Sequence, residues 1–175
     1  MKSSKHITRP LHLYCNNTAY FLTASTLHHR KLLRDDHKTR LIRLIQATFT
    51  EYDWQLHEWV ILDNHYHLLC QSKQGKDLPK IIRKIHSLSA RFIKKDNNIE
   101  GRVWYNYWDY CPRNETEYNT RLCYLLNNPY KHGYVEHLKD WEWSSFHKYS
   151  EKEALRSKFQ KYSDYRTLNL FEDSF

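Results

Sequence analysis

Two runs of strand-forming residues, Trp54 to Leu62 (WQLHEWVIL) and His65 to Gln71 (HYHLLCQ), are separated by Asp63-Asn64 alone. A two-residue Asx connection reverses the chain, so the runs pair antiparallel as a hairpin. That feature excludes an all-helical chain, and it excludes an all-parallel sheet, whose crossovers need a dozen residues or more. The flanking segments extend the pattern. Tyr20 to Thr26 (YFLTAST) follows the turn-like Asn16-Asn17 and reads as an earlier strand. Between it and the hairpin, Leu41, Ile42, Leu44, Ile45 and Phe49 form the apolar stripe of a helix from Asp35 to about Thr50. A second helix begins near Asp77 with Pro79 in its first turn, and turns Ile81, Ile82, Ile85, Leu88 and Phe92 to the core. Val103 to Cys111 (VWYNYWDYC) reads as a fourth strand. Asn114, with Glu117 three residues on, has the form of a capping box and opens a third helix, expected to stop at Asn128-Pro129. The order βαββαβα predicts an α+β, two-layer sandwich: an antiparallel sheet with helices packed on it.

At 175 residues the chain fits one domain, 1–175, with a core at about 18–147 and a charged tail at 151–175. Residues 1–12 are polar and read as loosely held. Lys and Arg outnumber Asp and Glu by 28 to 20, a formal charge of +8, which points to an anionic partner, with nucleic acid foremost. With 14 Tyr, 7 Phe and 6 Trp the chain is no disordered basic tail, and it has flat faces on which bases can stack. Only 3 Gly argue against nucleotide-cradling glycine loops and a small-molecule cofactor. The opening MKSSKHITRP lacks the apolar stretch of a signal peptide, and no membrane-length apolar run follows, so the expectation is a soluble, cytoplasmic protein with no membrane partner. Cys15, Cys70, Cys111 and Cys123 form no CxxC pair and read as reduced, mostly buried thiols rather than a zinc knuckle or disulfide framework.

Within the hairpin, His65 and His67 are two apart on a strand, so both imidazoles emerge on one face while Tyr66 turns to the other. Two convergent imidazoles suit a metal ion, although an HxH pair alone is more often a pair of ordinary packed histidines and needs a third ligand. On the third helix Tyr124 and Asn128 lie one turn apart on one face, at the edge of a stripe made by Leu122, Leu125 and Leu126. Taken alone, Tyr124 reads as a core aromatic and Asn128 as a helix end before Pro129.

Three blocks in order resemble the REP-associated tyrosine transposases, of the HUH endonuclease superfamily, which are related to single-strand insertion-sequence transposases. The first is Trp59 to Leu69, similar to an apolar strand ending in N-H-x-H-L. The second is Val103 to Asp109 followed by Arg113 to Tyr118, similar to a tryptophan-rich strand and an acidic helix start. The third is Tyr124 to Val135, similar to Y-I-x-x-N-P-V-x-x-G-x-V, with Trp141 to Phe146 resembling a closing W-x-S-S run. Tyr66 stands where an aliphatic residue is usual, and Tyr130 where valine is common.

The resemblance implies a ferredoxin-like fold and an enzyme that cleaves and rejoins single-stranded DNA at palindromic hairpin elements. In such enzymes a tyrosine attacks a phosphodiester to give a 5′-phosphotyrosine link and a free 3′-OH. By position Tyr124 matches the nucleophile, His65 and His67 the metal-binding pair, and Asn128 the third ligand, for Mg²⁺ or Mn²⁺. DNA binding is expected from Lys80, Arg83, Lys84 and Arg91 on the second helix and from Trp104, Tyr105 and Tyr107 as stacking rings. The same geometry implies that the Tyr124 hydroxyl faces the cleft of the histidine pair, unless an inactive state swings the helix away, and burial of that ring in the core would end the transposase reading. The chain is either a monomer or a homodimer. Two alternatives stand beside this reading: a catalytically silent hairpin-binding or regulatory protein, and a metal-dependent nuclease in which water attacks.

Overall fold

The computed structural model describes His12 and residues 14–149, so the tail at 151–175 lies outside the described residues. The chain runs β1 (Ala19–Thr26), α1 (Asp35–Glu51), β2 (Gln55–Ile61), β3 (His65–Gln71), α2 (Leu78–Asn97), β4 (Trp104–Tyr110) and α3 (Glu115–Lys131). The strands form one sheet in the order β2-β3-β1-β4, with every neighbouring pair antiparallel. The order βαββαβα and the ferredoxin-like arrangement expected from the sequence are therefore present.

Alternation along β3 divides the interior in two. Tyr66, Leu68 and Cys70 join Tyr20, Leu22 and Ala24 of β1 beneath α1 and α2, whose Leu41, Ile45, Ile81 and Ile85 complete the larger core. Leu69 faces the other way, with Phe21 of β1 and Val60 of β2, and α3 covers this second face through Tyr124, Leu125 and Leu126. The two-layer unit of sheet, α1 and α2 thus carries α3 on the opposite face of the sheet. His65 and His67 share the parity of Leu69 and so lie on the α3 side.

The closing segment seals the β2 edge. Ile61 donates its amide to the Trp143 carbonyl at 2.9 Å, Val60 bridges Ser144, and the Trp59 amide donates to Ser145 Oγ at 2.9 Å. Trp141 Nε1 donates to the Ile61 carbonyl at 3.1 Å. The run that resembled W-x-S-S is therefore a structural flap on the sheet.

Three expectations are corrected here. The third helix does not stop at Asn128-Pro129 but continues to Lys131. Proline forfeits only its own amide, so one intrahelical bond is lost. The bias of the preceding residue against helix is overridden because Asn128 is fully buried, and His132 still donates to the Asn128 carbonyl at 3.0 Å. At the other end Asn114 Oδ1 accepts the Glu117 amide at 2.9 Å, but Glu117 bonds Arg113 and the Tyr110 hydroxyl, so the capping box is half formed. His12 is not loose: its Nδ1 hydrogen-bonds with the Asp109 carboxylate, and its ring stacks on Tyr107 with ring centroids 4.5 Å apart.

Leu68 lies at the centre of β3 with no exposed surface. Leu68→Ala should destabilise the protein by about 2–5 kcal/mol, read as a shift in the urea midpoint at unchanged slope. Beneath the same core His86 is held neutral, its pKa lowered to about 3 by burial and then by the Arg102 charge. The unfolded chain, with an ordinary imidazole near 6.5, takes up this proton first, so His86 costs no stability above that value and costs progressively more as pH falls toward 3. His86→Asn should therefore show a shallower loss of Tm on acidification through that window than the parent protein.

Candidate active site

The antiparallel register sets His67 opposite Thr23 and His65 opposite Ser25. Thr23 Oγ1 lies 2.8 Å from His67 Nδ1, and Asn64 Oδ1 lies 2.7 Å from His65 Nδ1. Each imidazole is thus held through Nδ1 by a neighbouring oxygen, which leaves Nε2 as the atom to face a ligand. The two rings are 5.0 Å apart between centroids.

α3 brings the remaining groups across the sheet. Asn128 is fully buried, and its Oδ1 stands 3.0 Å from His65 Nε2. Asn64 is fixed in its orientation because its Nδ2 donates to the His29 carbonyl at 3.2 Å, so its oxygen takes the Nδ1 proton of His65. His65 Nε2 and Asn128 Oδ1 thus stand close enough for both to ligate one ion. Nε2 of His67 and Nδ2 of Asn128 are both buried without a hydrogen-bond partner among the described residues. Burial, followed by the neighbouring His65, His132, Lys131 and Arg121, holds the His67 pKa well below its ordinary value, which keeps the ring neutral and able to ligate. The donor set of two imidazole nitrogens and one amide oxygen therefore fits a divalent ion of intermediate hardness.

Tyr124 is beside this group but not in an open cleft. It is 2% exposed, with its ring edge-on to His67 at 5.3 Å and to Phe21 at 6.1 Å, and Lys131 Nζ lies 4.8 Å from its centroid. The expected presentation of its hydroxyl to a cleft is therefore not met in this conformation. The reason is the apolar seam of Phe21, Leu125 and Leu126, which takes in the ring as well. Its neighbours nevertheless include a site imidazole, so the ring closes the histidine pair from the side.

The residues expected to bind DNA lie elsewhere. Arg83, Tyr105 and Tyr107 line a cavity of about 540 Å³ between α2 and β4, together with Lys94 and Arg102. This is the face of the sheet opposite the histidine pair. Lys80 is exposed and ion-paired with Asp77 at 3.1 Å, Lys84 pairs with Glu51, and Arg91 is exposed. Trp104 cannot serve as a stacking platform in this state: it is 4% exposed, donates to Ser89 Oγ at 2.9 Å, and its face is covered by His86 at 4.6 Å. A buried indole needs a hydrogen-bond partner, and Ser89 supplies it.

Sequence reasoning missed Thr23, Asn64 and His132. His132 sits one turn beyond Asn128, its ring 5.2 Å from that of His65. The i, i+4 spacing from Asn128 was a readable signal for it. Thr23 carried none, since cross-strand register is not written in a single strand. Among the described residues no helix is long and apolar enough to cross a membrane.

Comparison with known proteins agrees with this arrangement. Residues 15–111 match the family model described as "Transposase IS200 like". A Haemophilus influenzae protein described as a REP-associated tyrosine transposase is 28% identical over 140 residues, 74% of this chain and 80% of its own length. The REP-associated tyrosine transposase of Escherichia coli is 26% identical over 141 residues, 77% of this chain and 80% of its own length. A solved structure of a REP-associated tyrosine transposase bound to a REP hairpin superposes with a TM-score of 0.70 at 22% identity, over 83% of this chain and 87% of that one, a likeness of fold. With the family model spanning more than half its length, and the HxH strand and the helix of Tyr124 and Asn128 meeting across the sheet, the chain belongs to the IS200-like transposase family.

Proposed function

We propose that this protein cleaves and rejoins single-stranded DNA at palindromic hairpin elements through a covalent 5′-phosphotyrosine intermediate, with Tyr124 as nucleophile. The observation that carries the reading is the meeting of His65, His67 and Asn128 from two distant elements, with His67 Nε2 buried and unpartnered next to the Tyr124 ring. The curated relatives named as REP-associated tyrosine transposases, and the solved one bound to a REP hairpin, support the substrate class.

In this mechanism His65, His67 and Asn128 would hold Mg²⁺ or Mn²⁺, an ion that would polarise the scissile phosphate and offset its developing charge. Thr23 and Asn64 keep the imidazoles oriented through Nδ1. The Tyr124 oxygen forms a bond to phosphorus as the bond from phosphorus to the 3′ oxygen breaks. The phenol gives up its proton, and the 3′ oxygen gains one and leaves as the 3′-OH. Lys131, beside Tyr124, contributes positive charge where the phosphodiester would lie. Before this can happen the Tyr124 ring must turn out of its seam, so the packed state is a resting state. Hairpin binding falls to the basic and aromatic surface of α2 and β4, where Arg83, Arg102 and Lys94 can neutralise phosphates and Tyr105 can stack on an unpaired base.

The burial of Tyr124 also favours a second reading, a hairpin-binding protein without covalent chemistry. Incubation with a labelled hairpin carrying a single-stranded flank, followed by a denaturing gel, separates the two. The transposase reading expects a shifted protein–DNA band with Mn²⁺ that disappears in Tyr124→Phe while hairpin affinity changes by less than about twofold, because one hydroxyl and no charge is removed. No band from the parent protein would favour the silent binder. A band that persists in Tyr124→Phe would move the nucleophile elsewhere, with Tyr118 next in line.

Asn128→Ala should weaken Mn²⁺ binding by about tenfold or more, since it deletes one of three protein ligands. The helix should survive, because alanine is the best helix former, so far-UV circular dichroism should be unchanged. Titration calorimetry that returns the parent affinity would remove Asn128 from the ligand set.

A further inference from the structure

Four rings form a row across the site. Tyr124 meets His67 at 5.3 Å between centroids, His67 meets His65 at 5.0 Å, and His65 meets His132 at 5.2 Å. Each contact is edge-on, with interplanar angles of 73°, 78° and 68°. The order follows from the packing of α3 on β3. Tyr124, Asn128 and His132 stand on successive turns, about 6 Å apart along the helix axis, and His67 and His65 follow in the matching order on a strand that runs the opposite way. The imidazole pair therefore lies between Tyr124 and His132. Tyr124 closes the row at its buried end, and His132 at an end exposed to solvent.

His132 is exposed but not loosely placed. Its amide donates to the Asn128 carbonyl at 3.0 Å, and the chain is closed immediately beyond it. Gly133, at φ +70°, turns back so that its own amide reaches the Tyr130 carbonyl at 3.0 Å and the Tyr134 amide reaches the Pro129 carbonyl at 2.9 Å. Glycine adopts this left-handed backbone without strain, so the base from which the His132 imidazole projects is fixed.

Displacement at phosphorus has the attacking and departing oxygens roughly in line on opposite sides of it. With Tyr124 as nucleophile, a phosphodiester beside the histidine pair is attacked from the Tyr124 end of the row, and its 3′ oxygen departs toward the other. The departing strand also needs a path to solvent, and the His132 end is open. We propose that His132 is a further catalytic residue, whose imidazole N–H donates a hydrogen bond to the departing 3′ oxygen. The assignment rests on the reading of Tyr124 as nucleophile. An imidazole carries an N–H in both of its charge states, so the contact does not depend on titration of the ring. The donor offsets the negative charge that grows as the bond from phosphorus to the 3′ oxygen breaks. Solvent at the exposed ring supplies the proton that the 3′ oxygen keeps, which balances the one released by the phenol. In rejoining, the same contact orients the 3′-OH that attacks the phosphotyrosine.

The test compares two hairpins with single-stranded flanks, one natural and one with sulfur in place of the bridging 3′ oxygen, in single-turnover formation of the covalent adduct with Mn²⁺. A thiol is a far stronger acid than an alcohol, so sulfur leaves as a thiolate without help from a donor. His132→Ala should slow adduct formation about a hundredfold on the oxygen substrate and less than about threefold on the sulfur substrate. His132→Gln, which keeps an N–H donor, should recover about tenfold of that loss. Mn²⁺ affinity, measured by water-proton relaxation, should stay within about twofold of the parent, because His132 is not among the ligands. Equal slowing of both substrates, or parent rates on both, would overturn the assignment and leave the nucleophile reading standing. A loss of Mn²⁺ affinity of about tenfold or more would also overturn it, by making His132 a ligand. Absence of adduct from the parent protein on either substrate would overturn the nucleophile reading and this assignment together. Should His132→Ala fail to fold by far-UV circular dichroism, His132→Phe decides through the same comparison of oxygen with sulfur, because it keeps a ring against His65 and lacks the donor.

Discussion

The strict alternation of β3 is the constraint on which the rest of the molecule depends. A strand buried on both faces has no solvent side, so each of its residues belongs to one of two interiors. Tyr66, Leu68 and Cys70 are committed to the core under α1 and α2, and the intervening positions face α3. A slip of one residue would send the imidazoles beneath α1 and α2 and the tyrosine into the site. The site is thus inseparable from the register of the sheet, and the register is secured by β1 on one side, β2 on the other and the flap beyond.

Placing two imidazoles and an amide in a dry seam is unfavourable unless their polar atoms are answered. Nδ1 of each histidine is answered by Asn64 or Thr23, but Nε2 of His67 is left bare at a fully buried position. Natural interiors rarely leave such atoms unanswered. Among the described residues Trp54 Nε1 and Glu58 Oε2 are unanswered elsewhere, but His67 Nε2 and Asn128 Nδ2 come together where the helix and the strand of distant sequence converge.

Much of this was legible in the sequence. The hairpin followed from Asp63-Asn64 between two apolar runs, and the helices from their 3.6-residue stripes, because both signals are local. The parity that sends His65 and His67 to one face was equally local. What could not be read is what depends on packing. Pro129 reads as a helix stop, but burial of Asn128 outweighs the local bias. Trp104 reads as a stacking surface, but its partner His86 arrives from a different element. Tyr124 is placed at the site by its helix phase, whereas its withdrawal into the seam with Phe21 is a property of the assembled face. The resemblance to a known family supplied the roles of Tyr124 and Asn128, which spacing alone would have left as a core aromatic and a helix end.

The flap over β2 also determines how the sheet can grow. An open sheet has two borders of unpaired amides and carbonyls, and either can template a further strand from another chain. Here Ile61, Val60 and Trp59 already have their outward backbone groups engaged by Trp143, Ser144 and Ser145. Extension on that side is blocked by the chain's own backbone. Among the described residues the border left for strand addition is β4, whose register is broken by an irregularity between Ala24 and Thr26 and whose Asp109 is engaged by His12. Among the described residues, strand addition beside Trp59, Val60 and Ile61 is therefore closed, and the β4 margin, which borders the basic cavity, is the more open border of the sheet.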